Sequence, residues 1–427
     1  MQSRFSILLT AIALCTALAM PVPLVAQEQQ KQKLPHYTIT VLGTLGGGFS
    51  SGNGLNYEGS VAGASLLPGD AVLHAFLWQK GVMTDLGTLG GPNSDASEGP
   101  MINNRDEVVG FSDTLTPDPN AEDFCGILGD PPNPYTCLPF VWRDGVMTAL
   151  PTLGGNNGAA IAINNRGQLA GVAENEIPDP TCAPPLVLHF EPVIWEKDRI
   201  EQLPTVRGDS DGLAGAINDR GQAVGFTGPC FAMHAVLWEN GKATDLGNLG
   251  GAFSSIAFDI NNRGQVVGES DLPGHTTHHA FLWQNGVMTD LGTILGLPVS
   301  LAQAINNKGQ VVGYSQDLNA NSTVAWLWKD GVMTELNTLI PSDSPLFLVE
   351  ALGINDRGQI AGYAFDTSTG EAPAFLATPV DDGEDSAGVA RRSAGTPLIV
   401  LPENLRQRLQ RRMGFRQHWP EHVAPRN

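Results

Sequence analysis

One phrase, built on I-N-N-R-G-Q-V-V-G, recurs seven times and constrains the fold of this chain more than any other feature. Successive copies are separated by 43 to 61 residues, which is enough for a unit of four short strands. Units repeated at such a period bury their apolar faces against their neighbours. The first asparagine of each copy marks the repeat: Asn56, Asn103, Asn164, Asn218, Asn261, Asn306 and Asn355.

A second phrase, H-A-F-L-W-x-N-G-V-M-T-D-L-G-T-L-G-G, lies between the copies of the first. Its tryptophan recurs only six times, at Trp78, Trp142, Trp195, Trp238, Trp283 and Trp328. The missing copy is divided between the ends of the repeat region, because residues 374–378 match its first half and residues 37–47 match its second half. Complementary ends are what a closed ring needs, so the sequence predicts an all-β, seven-bladed β-propeller whose N-terminal strand completes the last blade.

Each repeat divides into four predicted strands. An Ala-, Ser- and Gly-rich strand precedes the N-N-R-G turn, and Q-V-V-G, H-A-F-L-W and V-M-T-D-L supply the next three. The N-G and D-G pairs after tryptophan are strong hairpin signals. Two positions depart from the pattern: Asp106 replaces the glycine of the first turn in blade two, and Asp198 replaces that of the second turn in blade three. We expect the turn at Asp106 to differ or to be strained.

These phrases resemble those of the bacterial extracellular HAF-repeat family, which takes its name from the tripeptide found here at His74–Phe76 and His279–Phe281. The resemblance covers about residues 37–378, and blade three, with Phe190–Trp195, departs from it most. The family consists of exported repeat proteins without an assigned activity. The resemblance therefore implies an exported protein and supplies no mechanism.

The two ends of the chain have their own signals. Residues 1–26 read as a signal peptide, with Arg4 before an apolar stretch and small residues for cleavage, and no second apolar stretch follows. We expect a monomer without a transmembrane segment, periplasmic, extracellular or at the cell surface. The propeller is predicted over residues 37–379. Residues 380–427 are predicted to form a linker and a basic tail with a short helix around 402–413, which could dock on the ring, lie on an anionic membrane or be disordered.

Two long insertions between the second and third strands, residues 112–138 in blade two and 173–188 in blade three, are expected to collect on one face of the ring. The four cysteines outside the signal peptide lie in loops of this face. Their positions and the exported context predict two disulfides, one stiffening a loop and one joining neighbouring blades. The predicted pairs are Cys125–Cys137 and Cys182–Cys230.

The same loops are acidic, and their carboxyl side chains are a candidate binding surface. Calcium or a cationic ligand would suit such oxygen-rich loops, but a solvated, solubilising surface is the alternative, and no EF-hand-type loop is present. The histidines at His275, His278 and His279 suggest a metal, although His279 occupies a repeat position and reads as scaffold. The loop acids are Asp118, Glu122, Asp123, Asp130, Glu174, Glu176 and Asp179.

The sequence leaves the molecular function open. A formal net charge of −20 makes nucleic acid an unsuitable partner. We expect a binding or structural scaffold module that holds a protein or glycan on the acidic loop face, without a cofactor. The alternative is a polysaccharide-acting hydrolase or lyase that uses carboxylates at the propeller axis, for which Asp95, Asp259 and Glu350 are candidates.

Overall fold

The computed structural model describes residues 35–126, 134–182, 186–197, 199–229, 233–251, 254–274, 277–317 and 320–380. Within these residues the chain forms seven antiparallel sheets of four strands each, which is the predicted seven-bladed β-propeller. The predicted signal peptide, linker and C-terminal helix lie outside the described residues.

The chain begins with β1 (His36–Gly43) and then builds one blade after another, from the axis outward. Blade one contains β2 (Ser50–Leu55), β3 (Val61–Leu66), β4 (Leu73–Gln79) and β5 (Val82–Asp85). Blade two contains β6 (Ser94–Asp95), β7 (Val108–Pro117), β8 (Tyr135–Arg143) and β9 (Val146–Ala149). Blade three contains β10 (Gly154–Ile163), β11 (Gln168–Pro178), β12 (Leu188–Glu196) and β13 (Arg199–Gln202). Blade four contains β14 (Asp211–Ile217), β15 (Ala223–Gly228), β16 (His234–Glu239) and β17 (Lys242–Asp245).

The remaining blades repeat this order. Blade five contains β18 (Ser255–Ile260), β19 (Val266–Asp271), β20 (His278–Gln284) and β21 (Val287–Gly292). Blade six contains β22 (Val299–Ile305), β23 (Val311–Asp317), β24 (Ser322–Lys329) and β25 (Val332–Glu335), followed by a 3₁₀ helix at Leu336–Leu339. Blade seven contains β26 (Leu346–Ile354), β27 (Ile360–Asp366) and β28 (Ala374–Val380), and β1 is its outermost strand.

The predicted closure is therefore confirmed. Strand β1 pairs antiparallel with β28, and the register places His36 opposite Val380 and Val41 opposite Phe375. The two half-phrases at the ends of the repeat thus meet in one sheet, and the ring has no open blade edge there.

The V-V pair of each repeat is buried because each blade is covered on both faces. Side chains alternate between the faces of a strand, so Val266 packs with Phe281 toward blade four, while Val267 packs with Trp326 of blade six. Two strand-three tryptophans contact the connection that precedes their own blade: the indole N–H groups of Trp195 and Trp238 donate to the carbonyls of Pro151 at 2.8 Å and Pro204 at 2.7 Å.

The N-N-R-G turns form a ring of their own at one end of the axis. In each turn the first asparagine accepts from backbone N–H groups of its own turn and donates from Nδ2 to the carbonyl of the equivalent asparagine in the next blade. These seven inter-blade bonds measure 2.9 to 3.3 Å and run around the whole ring. The turn at Asp106 keeps the geometry of its neighbours, because Asp106 adopts the positive φ of 60° where the other blades have glycine. Asp198 lies outside the described residues.

Candidate functional site

The loop face of blades two and three carries the largest departures from the repeat. Strands β7 and β11 have 10 and 11 residues, against 6 in the equivalent strand β3 of blade one. Each therefore continues as a long hairpin beyond the ring before β8 or β12 returns. Within the described residues, both insertions thus extend the paired strands of their blades.

The predicted Cys125–Cys137 disulfide is present, with the two Cα atoms 6.1 Å apart. Both cysteines are buried, and Cys137 belongs to β8, so the bond ties the blade-two insertion to its own sheet. The second predicted pair, Cys182–Cys230, stays a prediction because Cys230 lies outside the described residues.

The acidic loop residues form a buried cluster around one amide. Asn157, at the start of the inner strand of blade three, directs Nδ2 toward Asp118 at 2.7 Å, Glu174 at 3.1 Å and Glu122 at 3.2 Å. We call these three carboxylates and Asn157 the blade 2–3 cluster. It joins the hairpin of blade two to β10 and β11 of blade three, so the acids hold the two hairpins together at their bases.

The interpretation of these acids as a solvated surface is therefore wrong for most of them. Glu122 and Glu174 have no exposed surface, and Asp118, Asp123 and Asp179 are also buried. Buried carboxylates need hydrogen-bond donors, which backbone N–H groups and Asn157 supply here. Of the predicted acids only Glu176 is exposed; Asp130 lies outside the described residues.

Glu174 is the most perturbed acid of this cluster. Its Oε2 accepts from the backbone N–H groups of Asn156 at 3.1 Å and Asn157 at 2.9 Å, while Oε1 has no donor among the described residues. Burial, with hydrogen bonding to and repulsion by the Glu122 carboxyl, raises the pKa of Glu174 above its usual range. We expect Glu174 to keep its proton at pH values where a solvent-exposed glutamate is ionised.

A second cluster lies between blades three and four. Nδ1 of His189 in β12 is 3.0 Å from Oδ1 of Asp211 in β14 and 3.7 Å from Oδ1 of Asp179 in the blade-three loop. Both aspartate side chains have no exposed surface, and the histidine side chain is 16% exposed. From the sequence, Asp179 was indicated as an acidic loop residue, but His189 and Asp211 were not singled out.

The two described histidines of the His275–His279 segment, His278 and His279, each pair with a different aspartate. His279 pairs with Asp290 at 2.9 Å, as the equivalent His74 pairs with Asp85 at 2.8 Å. The scaffold role of His279 is thus supported by its repetition. His278 pairs separately with Asp271 at 2.8 Å, and His275 lies outside the described residues.

The candidate carboxylates at the axis are not brought into one site. Asp259 lines a cavity of about 230 Å³ at the asparagine-ring end of the axis, whereas Asp95 and Glu350 are not among its lining residues. Asp95 instead accepts from the backbone N–H and hydroxyl of Ser97. Burial raises the pKa of Asp259 to about 6, although the N–H groups of Ile260 and Ile305 lower it.

A second ring of hydrogen bonds surrounds this axial cavity. The backbone N–H of the second turn residue donates to the side-chain oxygen of its counterpart in the next blade, at 2.7 to 2.9 Å. Six such bonds run from Tyr57 round to Asp356. At position 57 the side chain is a tyrosine, without an amide or carboxylate oxygen, and the Arg357 guanidinium lies 5.9 Å from its ring centroid.

Comparison with known proteins bears on the fold alone. No family model matches the chain, and no protein with a curated description matches it in sequence. Among solved structures it is similar to the β-propeller domain of the Trilobed protease from Pyrococcus furiosus, with 11% identity, 79% of this chain and 94% of that chain covered, and a TM-score of 0.45.

Two further solved structures show the same degree of likeness. The gluconolactonase XC5397 from Xanthomonas campestris has 8% identity, coverage of 81% and 91%, and a TM-score of 0.37. The polysaccharide lyase Uly1 has 9% identity, coverage of 83% and 94%, and a TM-score of 0.40. The activities named for these proteins differ, and none is attached to this chain. Among the described residues no helix is long and apolar enough to cross a membrane.

Proposed function

We propose that the protein is an exported binding module that holds a protein or glycan partner on the long hairpins of blades two and three. The observation that carries this proposal is the concentration of irregular features on one face of a regular ring. Long hairpins, a disulfide and a buried polar cluster all occur there, and binding residues commonly lie on loops positioned by a rigid scaffold. The signal-like N-terminus and the disulfide support export.

The hairpin ends supply the contact surface in this proposal. Exposed residues 115–117 of β7 and 176–178 of β11 form what we call the hairpin ridge. It includes two large apolar side chains, Leu115 at 72% exposure and Ile177 at 59%. Because Asp118 and Glu174 contact the same Asn157 amide, the blade 2–3 cluster holds the two halves of the ridge side by side.

A pull-down with the chain beginning at residue 27 tests the proposal. The immobilised protein is exposed to envelope and exudate fractions and, separately, to a glycan array with and without calcium. Retention should be lost when Leu115 and Ile177 are both replaced by serine. Val82 and Val146, which are 63% and 62% exposed on the outer strands of blades one and two, give the control double-serine variant. Equal retention by the two variants would refute the ridge as the binding surface.

One observation favours a second function, that of a polysaccharide-acting hydrolase or lyase. Asp259 and Asp219 both line the axial cavity, and their pKa values move in opposite directions. Burial raises that of Asp259, whereas for Asp219 hydrogen bonds from Asn165 and Asn262 outweigh burial and lower it. This function would be supported if the protein released reducing or unsaturated ends from a panel of polysaccharides and the Asp259→Asn variant did not. Activity that survives in Asp259→Asn would refute it.

A further inference from the structure

The loops of blades two and three begin with the same tripeptide, at residues 117–119 and 178–180, and bury its aspartate in the same way. The backbone N–H of Asp118 and of Asp179 donates to the returning strand of the loop at 2.8 Å, and Oδ1 of each accepts from the N–H two residues later at 2.7 Å. The partners are Pro134 and Asn120 for Asp118, and Val187 and Thr181 for Asp179. The two aspartates are therefore structural equivalents.

Each aspartate faces a residue of the next blade, and these two residues occupy equivalent positions. One of them is an amide that can donate a hydrogen bond, whereas the other is a carboxylic acid side chain. Asn157 lies seven residues before Asn164, and Asp211 lies seven residues before Asn218. Toward blade three, the Nδ2 of Asn157 donates to Asp118. Toward blade four, Asp211 stands where that amide donor would be, and an ionised carboxylate has no hydrogen to donate.

Two buried carboxylates and an imidazole therefore lie close together between blades three and four. One ligand-type atom each from Asp179, His189 and Asp211 lies within 4.8 Å of the other two. Metal ligands at about 2.0–2.2 Å from a tetrahedral ion lie about 3.3–3.6 Å apart. The distances from His189 Nδ1 to the two carboxylate oxygens, 3.0 and 3.7 Å, bracket that range.

His189 is not one of the scaffold histidines. Those stand four residues before the blade tryptophan, as His74 and His279 do, and each pairs with a single aspartate. His189 stands six residues before Trp195, and the scaffold position in blade three is occupied by Glu191. The cluster is thus a departure from the repeat, in the blade that departs from it most.

We propose that Asp179, His189 and Asp211 bind a divalent transition-metal ion of the zinc type between blades three and four. An imidazole nitrogen with two carboxylate oxygens suits such ions, whereas calcium takes six to eight oxygen ligands. Three protein ligands leave a fourth position for water or a ligand, as in open zinc sites. The ion would bridge the blade-three loop to the inner strand of blade four, as Asn157 links Asp118 of blade two to the inner strand of blade three.

Direct metal binding by the whole mature chain tests this site, independently of any partner of the hairpin ridge. The protein, stripped with EDTA and dialysed, is titrated with ZnCl₂, MnCl₂ and CaCl₂ by calorimetry, and its melting temperature is recorded with each ion. We expect one zinc ion per chain, bound with micromolar or tighter affinity, and a rise in melting temperature with zinc that exceeds the rise with calcium.

The Asp211→Asn variant is the decisive comparison, because it installs the residue type found at the equivalent position in blade three. It should fold and should bind zinc more weakly by over about 100-fold, beyond the loss caused by removing an outer-shell partner. His189→Gln should lose binding in the same way and serves if Asp211→Asn does not fold. His279→Gln, which removes a scaffold histidine, is the control and should bind zinc as the unaltered chain does.

Three results would overturn the site. One is a folded chain that binds no zinc in the micromolar range. The second is unchanged zinc affinity in folded Asp211→Asn or His189→Gln. The third is loss of zinc binding in folded His279→Gln, which would assign the ion to the histidines of blade five.

Discussion

The Nδ2 of Asn355 donates to the backbone carbonyl of Asn56 at 2.9 Å, across 299 positions of the sequence. This bond joins blade seven to blade one and repeats the bond that joins every other pair of neighbouring blades. Six of these asparagines also accept from two backbone N–H groups of their own turn, as Asn355 does from residues 357 and 359, and Asn56 accepts from the N–H of Ser60. One side chain therefore shapes the turn and links it to the next blade.

In a closed ring no position is terminal, so the asparagines of blades five and seven should contribute equally to stability. Replacing Asn261 or Asn355 by alanine leaves buried backbone groups without partners and should lower the free energy of unfolding by about 1–3 kcal/mol in each case. Urea unfolding of the two variants measures this. A much smaller loss for Asn355→Ala than for Asn261→Ala would show that the link to blade one contributes little.

Strand β1 should be required for the integrity of blade seven. A chain that begins at residue 44 lacks β1 and exposes the hydrogen-bonding edge of β28. We expect β28 amides to exchange at least about tenfold faster, equivalent to about 1.4 kcal/mol, while amides of blade four change less. A chain beginning at Pro35 is the control. Unchanged protection of β28 would contradict closure through β1.

The glycine of the V-V-G phrase should tolerate no side chain. The inner strand of blade four has a β-bulge at Gly215, and its backbone passes so close to Gly225 that an added Cβ would lie 1.9 Å from the carbonyl oxygen of Leu213. Gly225→Ala should lower stability by about 3 kcal/mol or more. Gly215→Ala, whose Cβ would meet nothing within 3.4 Å, should change it by less than about 1 kcal/mol. Equal melting temperatures would refute this packing.

Blade number, strand order and closure could be predicted because the repeated phrases can be aligned with one another directly in the sequence. The burial of the loop acids could not, because it depends on contacts between different blades. Asn157 and Asp118 are 39 residues apart in the sequence, and the residues around each of them do not predict their 2.7 Å contact. Acidic, proline-rich loops are commonly solvated, and that expectation failed here because neighbouring blades supply amide donors to the carboxylates.

One signal in the sequence could have located the cluster between blades three and four. The Pro-Asp-Pro tripeptides at 117–119 and 178–180 align the two loops, and counting back seven residues from Asn164 and Asn218 aligns Asn157 with Asp211. Together these alignments show that the amide of Asn157 in blade three is replaced by the carboxyl group of Asp211 in blade four. His189 carries no such signal, since its approach to Asp211 follows from the path of β12 beside the next blade.

The raised pKa of Glu174 in the blade 2–3 cluster should make stability depend on pH. The pKa of Glu174 is raised in the folded chain above its ordinary value of 4.5, so the folded state binds more protons than the unfolded state at pH values above about 4.5. The stability gained from this proton is therefore complete at lower pH and is lost as pH rises toward the folded pKa. The slope should reach at most about 1.4 kcal/mol per pH unit for one proton.

Glu174→Gln isolates this contribution. The glutamine stays neutral, and its oxygen can accept from the Asn156 and Asn157 N–H groups as Oε2 of Glu174 does. The stability of the variant relative to the unaltered chain should therefore rise with pH between pH 5 and pH 8, as measured by urea unfolding at each pH. Glu176→Gln removes an exposed acid two residues away and should show no such trend. A stability difference for Glu174→Gln that is constant over this range would mean that Glu174 holds no extra proton in the folded chain.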